Sequence, residues 1–231
     1  MTSWKNNNTL YSMRETNERK VVAKDKDHLR ELIKTRISTE GPNCDLNDID
    51  VSYITDMSYL FYAATEDFNG DISQWDVSNV KNMADMFYRC KFNGDISNWD
   101  VSNVTNMTSM FCRSKFNGDI SKWDVSSVES MYDMFKDSAF NGDISNWDVS
   151  NVKNMTAMFF NAEFDGDISE WNVSNVESMR LMFVGSNFSG DLSKWNVPEE
   201  ASLSEMFWGS QVKKRPAWYI DWIHKHPRSR H

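Results

Sequence analysis

A 24-residue segment recurs along this chain at invariant spacing, and no other feature narrows the possible folds as far. Phe68-Asn-Gly-Asp-Ile-Ser-Gln-Trp-Asp-Val returns at Phe92, Phe116, Phe140, Phe164 and Phe188. Trp75 has equivalents at Trp99, Trp123, Trp147, Trp171 and Trp195, and Phe87 at Phe111, Phe135, Phe159, Phe183 and Phe207. An earlier copy holds Leu46, Ile49, Val51, Ile54, Met57, Leu60 and Phe61, then two extra residues before Phe68, which makes seven copies. A unit this short cannot bury its apolar edge alone, so neighbours must cover both sides of each layer.

Within one copy the apolar positions are Ile72, Trp75, Val77, Val80, Met83, Met86 and Phe87. Ile-x-x-Trp-x-Val has the spacing of a leucine-rich-repeat strand, which predicts a short parallel strand. Val80, Met83, Met86 and Phe87 switch to steps of three and four, which predicts a short helix or helical turn. Asn69-Gly70 supplies turn residues. The expected fold is therefore an α/β repeat solenoid of leucine-rich-repeat type, its Trp, Phe and Met residues spent on the few core positions of each coil.

Open ends would expose an apolar layer and unpaired strand edges. Leu29, Leu32, Ile33 and Ile37 share one helical face, with Asp25 and Asp27 before them and Gly41-Pro42 as a stop. The expected organisation is a flexible polar leader at 1–24, an N-terminal cap helix at 25–45, the seven-repeat solenoid at 46–210, and a C-terminal cap and basic tail at 211–231. Trp218, Trp222 and Ile223 are expected to cover the last coil.

The repeat Phe-Asn-Gly-Asp-Ile-Ser-x-Trp-Asp-Val-Ser-Asn-Val-x-Asn-Met-x-x-Met-Phe closely resembles that of BspA-like leucine-rich-repeat proteins, also known as a mycoplasma-type domain of unknown function. The resemblance runs from about residue 28 to 210 and includes Asp45–Phe61. It implies the repeat fold and, since bacterial surface proteins and lipoproteins of adhesion are among such relatives, an adhesin-like role as one alternative.

Charge is segregated. Residues 1–43 hold nine Lys/Arg against six Asp/Glu, residues 211–231 six against one, and the stretch between 10 against 27. A middle of net charge −17 repels nucleic-acid phosphates and attracts a basic protein. No apolar run is long enough to span a membrane. The start of the chain lacks the apolar core of a secretory signal and no lipobox occurs, so a cytoplasmic, monomeric protein is expected.

Asp71, Asp95, Asp119, Asp143, Asp167 and Asp191 form one column, for which calcium is the sharp reading and turn hydrogen bonds the plain one. Asp76, Asp100, Asp124 and Asp148 give way to Asn172 and Asn196, so an acceptor is needed there and a charge is not. Identical repeats supply identical environments, which cannot separate the pKa values of an acid–base pair. His28, His224, His226 and His231 lie outside the repeats, and Cys44, Cys90 and Cys112 show neither metal nor nucleophile spacing. No catalytic residue, metal or cofactor is expected.

Positions free of the core can serve recognition. The outward positions of the expected helical turn are Ala84, Thr108, Tyr132, Thr156 and Arg180, then Tyr88, Cys112, Lys136, Phe160 and Val184; the strand's outward positions are Gln74, Asn98, Lys122, Asn146, Glu170 and Lys194. Tyr88, Tyr132, Phe160, Arg180, Gln74, Asn98, Lys122 and Asn146 are the candidate partner-binding residues. The expected function is a non-enzymatic scaffold that presents its acidic length to a protein partner. An adhesin-like surface protein and an acidic inhibitor of a basic toxin or nuclease are the alternatives.

Overall fold

The computed structural model describes residues 20–62 and 65–227. Of the expected leader, residues 1–19 lie outside the described residues, as do residues 228–231 of the tail. Strand β1 (Val21–Val22) pairs in parallel with β2 (Ile49–Asp50), and helix α1 (Lys26–Glu40) lies between them in sequence. Helix α2 (Ala217–Lys225) follows the last coil.

Local chemistry sets the bounds of α1. Asp25 caps it by accepting from the His28 N–H at 2.8 Å, Asp27 adds negative charge to the first turn, and Gly41 at φ 92° ends it while donating to the Ile37 carbonyl. Leu29 and Ile33 are fully buried against the first coil.

Each coil is a run of turns closed onto its neighbours. Asp71 Oδ1 accepts the Ser73 N–H, the Trp75 N–H donates to Ile72 O, and the Val80 N–H donates to Val77 O. Beyond Val80 the chain pairs with the next coil: the N–H groups of Met83, Asp85, Phe87 and Arg89 donate to the carbonyls of Asn106, Thr108, Met110 and Cys112 at 2.8–3.0 Å. The intervening Met86, Tyr88 and Cys90 donate back three residues instead. Parallel bridges run from Asp56 to Asn82, Asn106, Ser130, Asn154, Ser178 and Ser202, one per coil.

The pairing thus sits where the helical turn was expected, and from the second coil on the expected strand Ile-x-x-Trp-x-Val carries none; only its counterpart in the first coil, at Ile49–Asp50, pairs, with β1. Two causes are visible. Asp71 and Asp76 each accept the N–H two residues on, which folds their segment into turns and withdraws it from pairing. In the other half, Asp85 and Arg89 hold left-handed φ values of 55° and 58°, which interrupt any helix and turn alternate N–H groups toward the neighbouring coil.

The core is made of columns. Phe87 and Phe111 stack at 5.6 Å between ring centroids, Phe92 and Phe116 at 6.2 Å, and Trp75 and Trp99 at 6.4 Å, with planes within 5° of parallel. Burying such a ring contributes roughly 1.5–3 kcal/mol. Each indole also ties its coil to the preceding one: Trp123 Nε1 donates to Ile96 O at 3.0 Å, and the same bond recurs from Trp75 to Trp195. Gly118 is held to glycine by this packing, since a Cβ there would lie 2.9 Å from the Phe116 ring.

Candidate interaction surface

Of the three residues between the cross-coil donors of each ladder segment, the middle one, Met86 in one coil, is in the core, and the other two have no backbone duty to the next coil. Ala84 and Tyr88 mark them in one coil, and repetition turns them into two columns running the length of the stack. The first passes through Thr108, Tyr132, Thr156 and Arg180. The second begins at Tyr62 and passes through Tyr88, Lys136 and Phe160 to Trp208.

The eight residues expected to bind a partner divide between two places. Tyr132, 38 % exposed, and Arg180 stand in the first ladder column, and the half-buried Tyr88 and Phe160 in the second. Gln74, Asn98, Lys122 and Asn146 are exposed on the Asp-Ile-Ser turn, a separate column, where the Gln74 N–H donates to Asn47 Oδ1. Cys112 and Val184, expected to face outward, are only 3 % exposed, and Ala84 is also buried. Cys112 sits among Arg113, Asp133, Lys136 and Asp137, and burial pushes its thiol up to about 12.

Three aromatic residues of the surface escaped the sequence reading: Tyr59, Tyr62 and the 62 % exposed Trp208. Tyr62 and Trp208 hold the Tyr88 phase in the first and last coils, and extending the column by one period beyond Val184, and by one period plus the two extra residues before Tyr88, would have found them. The rings gather in groups. Tyr62 lies 5.6 Å from Tyr88 and 5.9 Å from Tyr59 between centroids, and Lys136 Nζ sits 5.1 Å over the Phe160 ring. Arg180 Nε donates to Ser204 Oγ at 2.9 Å.

Carboxylates run beneath and beside these rings. Burial raises the pKa of Asp85 and of Asp133, opposed at Asp133 by Lys136 at 3.3 Å. Asp133 Oδ1 is buried without a partner among the described residues. The exposed Asp71 column behaves oppositely: in all six residues the serine N–H two positions on holds the carboxyl below its ordinary value. That bond is the turn hydrogen bond of the plain reading.

Among the described residues, no group of three or more His, Cys, Asp or Glu side chains is placed to hold a metal. His28 Nδ1 accepts the Lys24 N–H, and His226 stacks on Trp222; His231 lies outside the described residues. All three cysteines are buried thiols, with Cys90 pushed up to about 11 by burial. A cleft of about 560 Å³ opens between the Ser189–Ser193 turn and Lys213–Ala217. No described helix is long and apolar enough to cross a membrane.

A family model described as a Mycoplasma protein of unknown function, DUF285, matches residues 31–139 and, again, residues 112–218. The chain belongs to this family. The two matches overlap over residues 112–139. No curated protein and no solved structure matches the chain. The DUF285 description carries no activity, so the use of the columns has to be argued from the molecule.

Proposed function

We propose that this chain is a non-enzymatic protein-interaction scaffold: a capped solenoid of the BspA-like, leucine-rich-repeat kind that offers its acidic length to a basic protein in the cytoplasm. One observation carries the reading. Side chains change from coil to coil chiefly where neither the core nor the cross-coil bonds need them, and there they collect the rings of Tyr62, Tyr88, Tyr132 and Phe160. Rigid aromatic side chains of this kind supply most of the energy of protein interfaces. Residues 44–210, with 27 acidic against 10 basic side chains, would speed encounter with a positively charged partner and weaken with salt.

The test is capture from native lysate by the purified chain at low and moderate salt, with mass spectrometry of what is retained. The expected result is one dominant basic protein, released by salt and lost when Tyr88, Tyr132 and Phe160 are all replaced by alanine. Retention unaffected by the triple replacement, or binding to cell surfaces or matrix in place of an intracellular protein, would overturn the scaffold reading in favour of adhesion.

A further inference from the structure

The first two coils gather three tyrosine rings around a half-buried carboxylate. Tyr59 and Tyr62 stand 5.9 Å apart between centroids with their planes at 78°, and Tyr62 lies 5.6 Å from Tyr88 at 52°. Rings tilted in this way do not cover one another face to face, and Tyr59 and Tyr62 are exposed. Asp85 belongs to the same group: burial raises its carboxyl, and the Tyr59 hydroxyl is the group that opposes the rise. No lysine or arginine among the described residues is paired with it, although Arg89 follows four positions on.

The fourth coil shows the same ingredients with a cation in place. Asp133 holds the Asp85 phase and Lys136 the Tyr88 phase, two coils on. Lys136 Nζ sits 3.3 Å from Asp133 Oδ2 and 5.1 Å from the centroid of Phe160, so one ammonium serves a carboxylate and a ring at once. There the ring belongs to the following coil; in the first two coils the rings belong to the coil of Asp85 and the one before it. Tyr88 stands where that lysine would be, so acid and rings are kept and this column supplies no cation. Charge points the same way. Residues 44–91, which include the first two coils, hold nine Asp/Glu against three Lys/Arg, and of the three Lys91 is already paired with Asp67 at 2.7 Å.

We infer that Tyr59, Tyr62, Tyr88 and Asp85 form a docking site for one arginine side chain of the basic partner. The guanidinium lies on the tyrosine faces and donates to the Asp85 carboxylate. Arginine fits better than lysine because its planar group stacks on rings and offers donors along its edge, whereas an ammonium is a strongly hydrated point charge. The inference rests on the scaffold reading above and names the group by which the partner is held.

The test uses the full chain with isotope-labelled tyrosine rings, titrated at constant ionic strength with N-acetylarginine amide and with its neutral isostere, N-acetylcitrulline amide. The ring signals of Tyr59, Tyr62 and Tyr88 are expected to shift with arginine and not with citrulline, and those of Tyr132 and Tyr219 to stay in place. Asp85→Asn is expected to weaken arginine binding about tenfold, and Tyr62→Leu about threefold. Asparagine tolerates the left-handed backbone that Asp85 holds at φ 55°, so the fold survives the first change. Equal shifts with citrulline, unchanged affinity in Asp85→Asn, or shifts spread over Tyr132 as well would overturn the site. So would concentration-dependent dimerisation in sedimentation that Asp85→Asn abolishes, which would give the site to a second copy. Should arginine move no ring while capture of a basic protein still depends on Tyr88, Tyr132 and Phe160, the scaffold reading stands and the arginine site falls. Arginine bound as expected with no basic protein captured would leave the site standing and remove the scaffold reading.

Discussion

From the second coil on, two residues in each coil hold the left-handed backbone that lets alternate N–H groups reach the neighbouring coil. In the last two coils the second of them is a glycine, Gly185 or Gly209, but elsewhere the positions carry full side chains, from Asp85 and Arg89 to Ala157 and Leu181. A side chain there costs roughly 1–2 kcal/mol, which glycine avoids at an entropic cost of roughly 0.5–1 kcal/mol. Leu181→Gly is therefore expected to leave stability unchanged or to raise it by up to about 1 kcal/mol, and Leu181→Val to lower it by more than about 1 kcal/mol, read from urea midpoints. A glycine variant clearly weaker than the parent would mean that the Leu181 side chain contributes more than its backbone strain costs. The columns of Phe, Trp, Val and Met were legible in the sequence because their phase never slips. The left-handed sites were not, since Asp, Arg, Ser, Asn, Ala, Leu and Glu share no signature.

The carboxylates predict an unusual pH profile at the same scale. The Asp71 column is held below the ordinary aspartate value of 3.8 by serine N–H groups, so its contribution is complete above that value and is lost as pH falls through the lowered ones. Asp85 and Asp133 are raised by burial, so they cost stability when ionised and return it as pH falls through their raised values. Stability is thus expected to hold or rise slightly on mild acidification and to fall once pH drops below the ordinary aspartate range. Urea midpoints across pH measure this, and a decline that begins near neutrality would contradict it.

At the scale of elements, the repeat's period was readable but the assignment of its halves was not. Ile-x-x-Trp-x-Val alternates as a strand would, yet Asp71 and Asp76 engage its N–H groups locally; Val80 to Phe87 is spaced as a helix would be, yet its steps of three match successive turns as well. Periodicity reports which side chains face the core and leaves open where the backbone hydrogen bonds go. The indoles show what the turn half contributes. In Trp123→Phe an aromatic ring stays but the bond from Nε1 to Ile96 O at 3.0 Å is lost, leaving that carbonyl with the Trp99 N–H alone. The expected cost is about 0.5–1.5 kcal/mol in urea denaturation; a cost near zero would show that the indole bond adds nothing to the one the Trp99 N–H already makes.

For the molecule as a whole, the way the stack ends matters more than any single coil. Trp218, on α2, takes the place that the tryptophan of an eighth coil would fill: its ring stacks on Trp195 at 6.3 Å and its Nε1 donates to Leu192 O at 2.9 Å. That the Trp218 region packs on the last coil could be read from its apolar spacing, whereas its imitation of a repeat residue could not, because Trp218 stands 23 rather than 24 residues after Trp195. Trp218→Ala is expected to speed amide exchange in the last coil by at least about tenfold and to leave the second and third coils unchanged, as nearest-neighbour coupling requires. Uniform acceleration along the chain would mean that the stack melts as one unit.

Because each coil bonds to its neighbours through the same set of backbone and core partners, a whole unit can be removed or duplicated without altering the backbone bonds or ring stacking of a junction. Excision of residues 116–139 would bring Phe140 to the place of Phe116, and each step changes the reach of the molecule by about 4.8 Å. Length is then a heritable variable that recombination between near-identical stretches of the coding sequence can adjust, while the two terminal segments travel unchanged. A gene of this kind can fit its product to a larger or smaller partner by copy number before a single contact residue is altered.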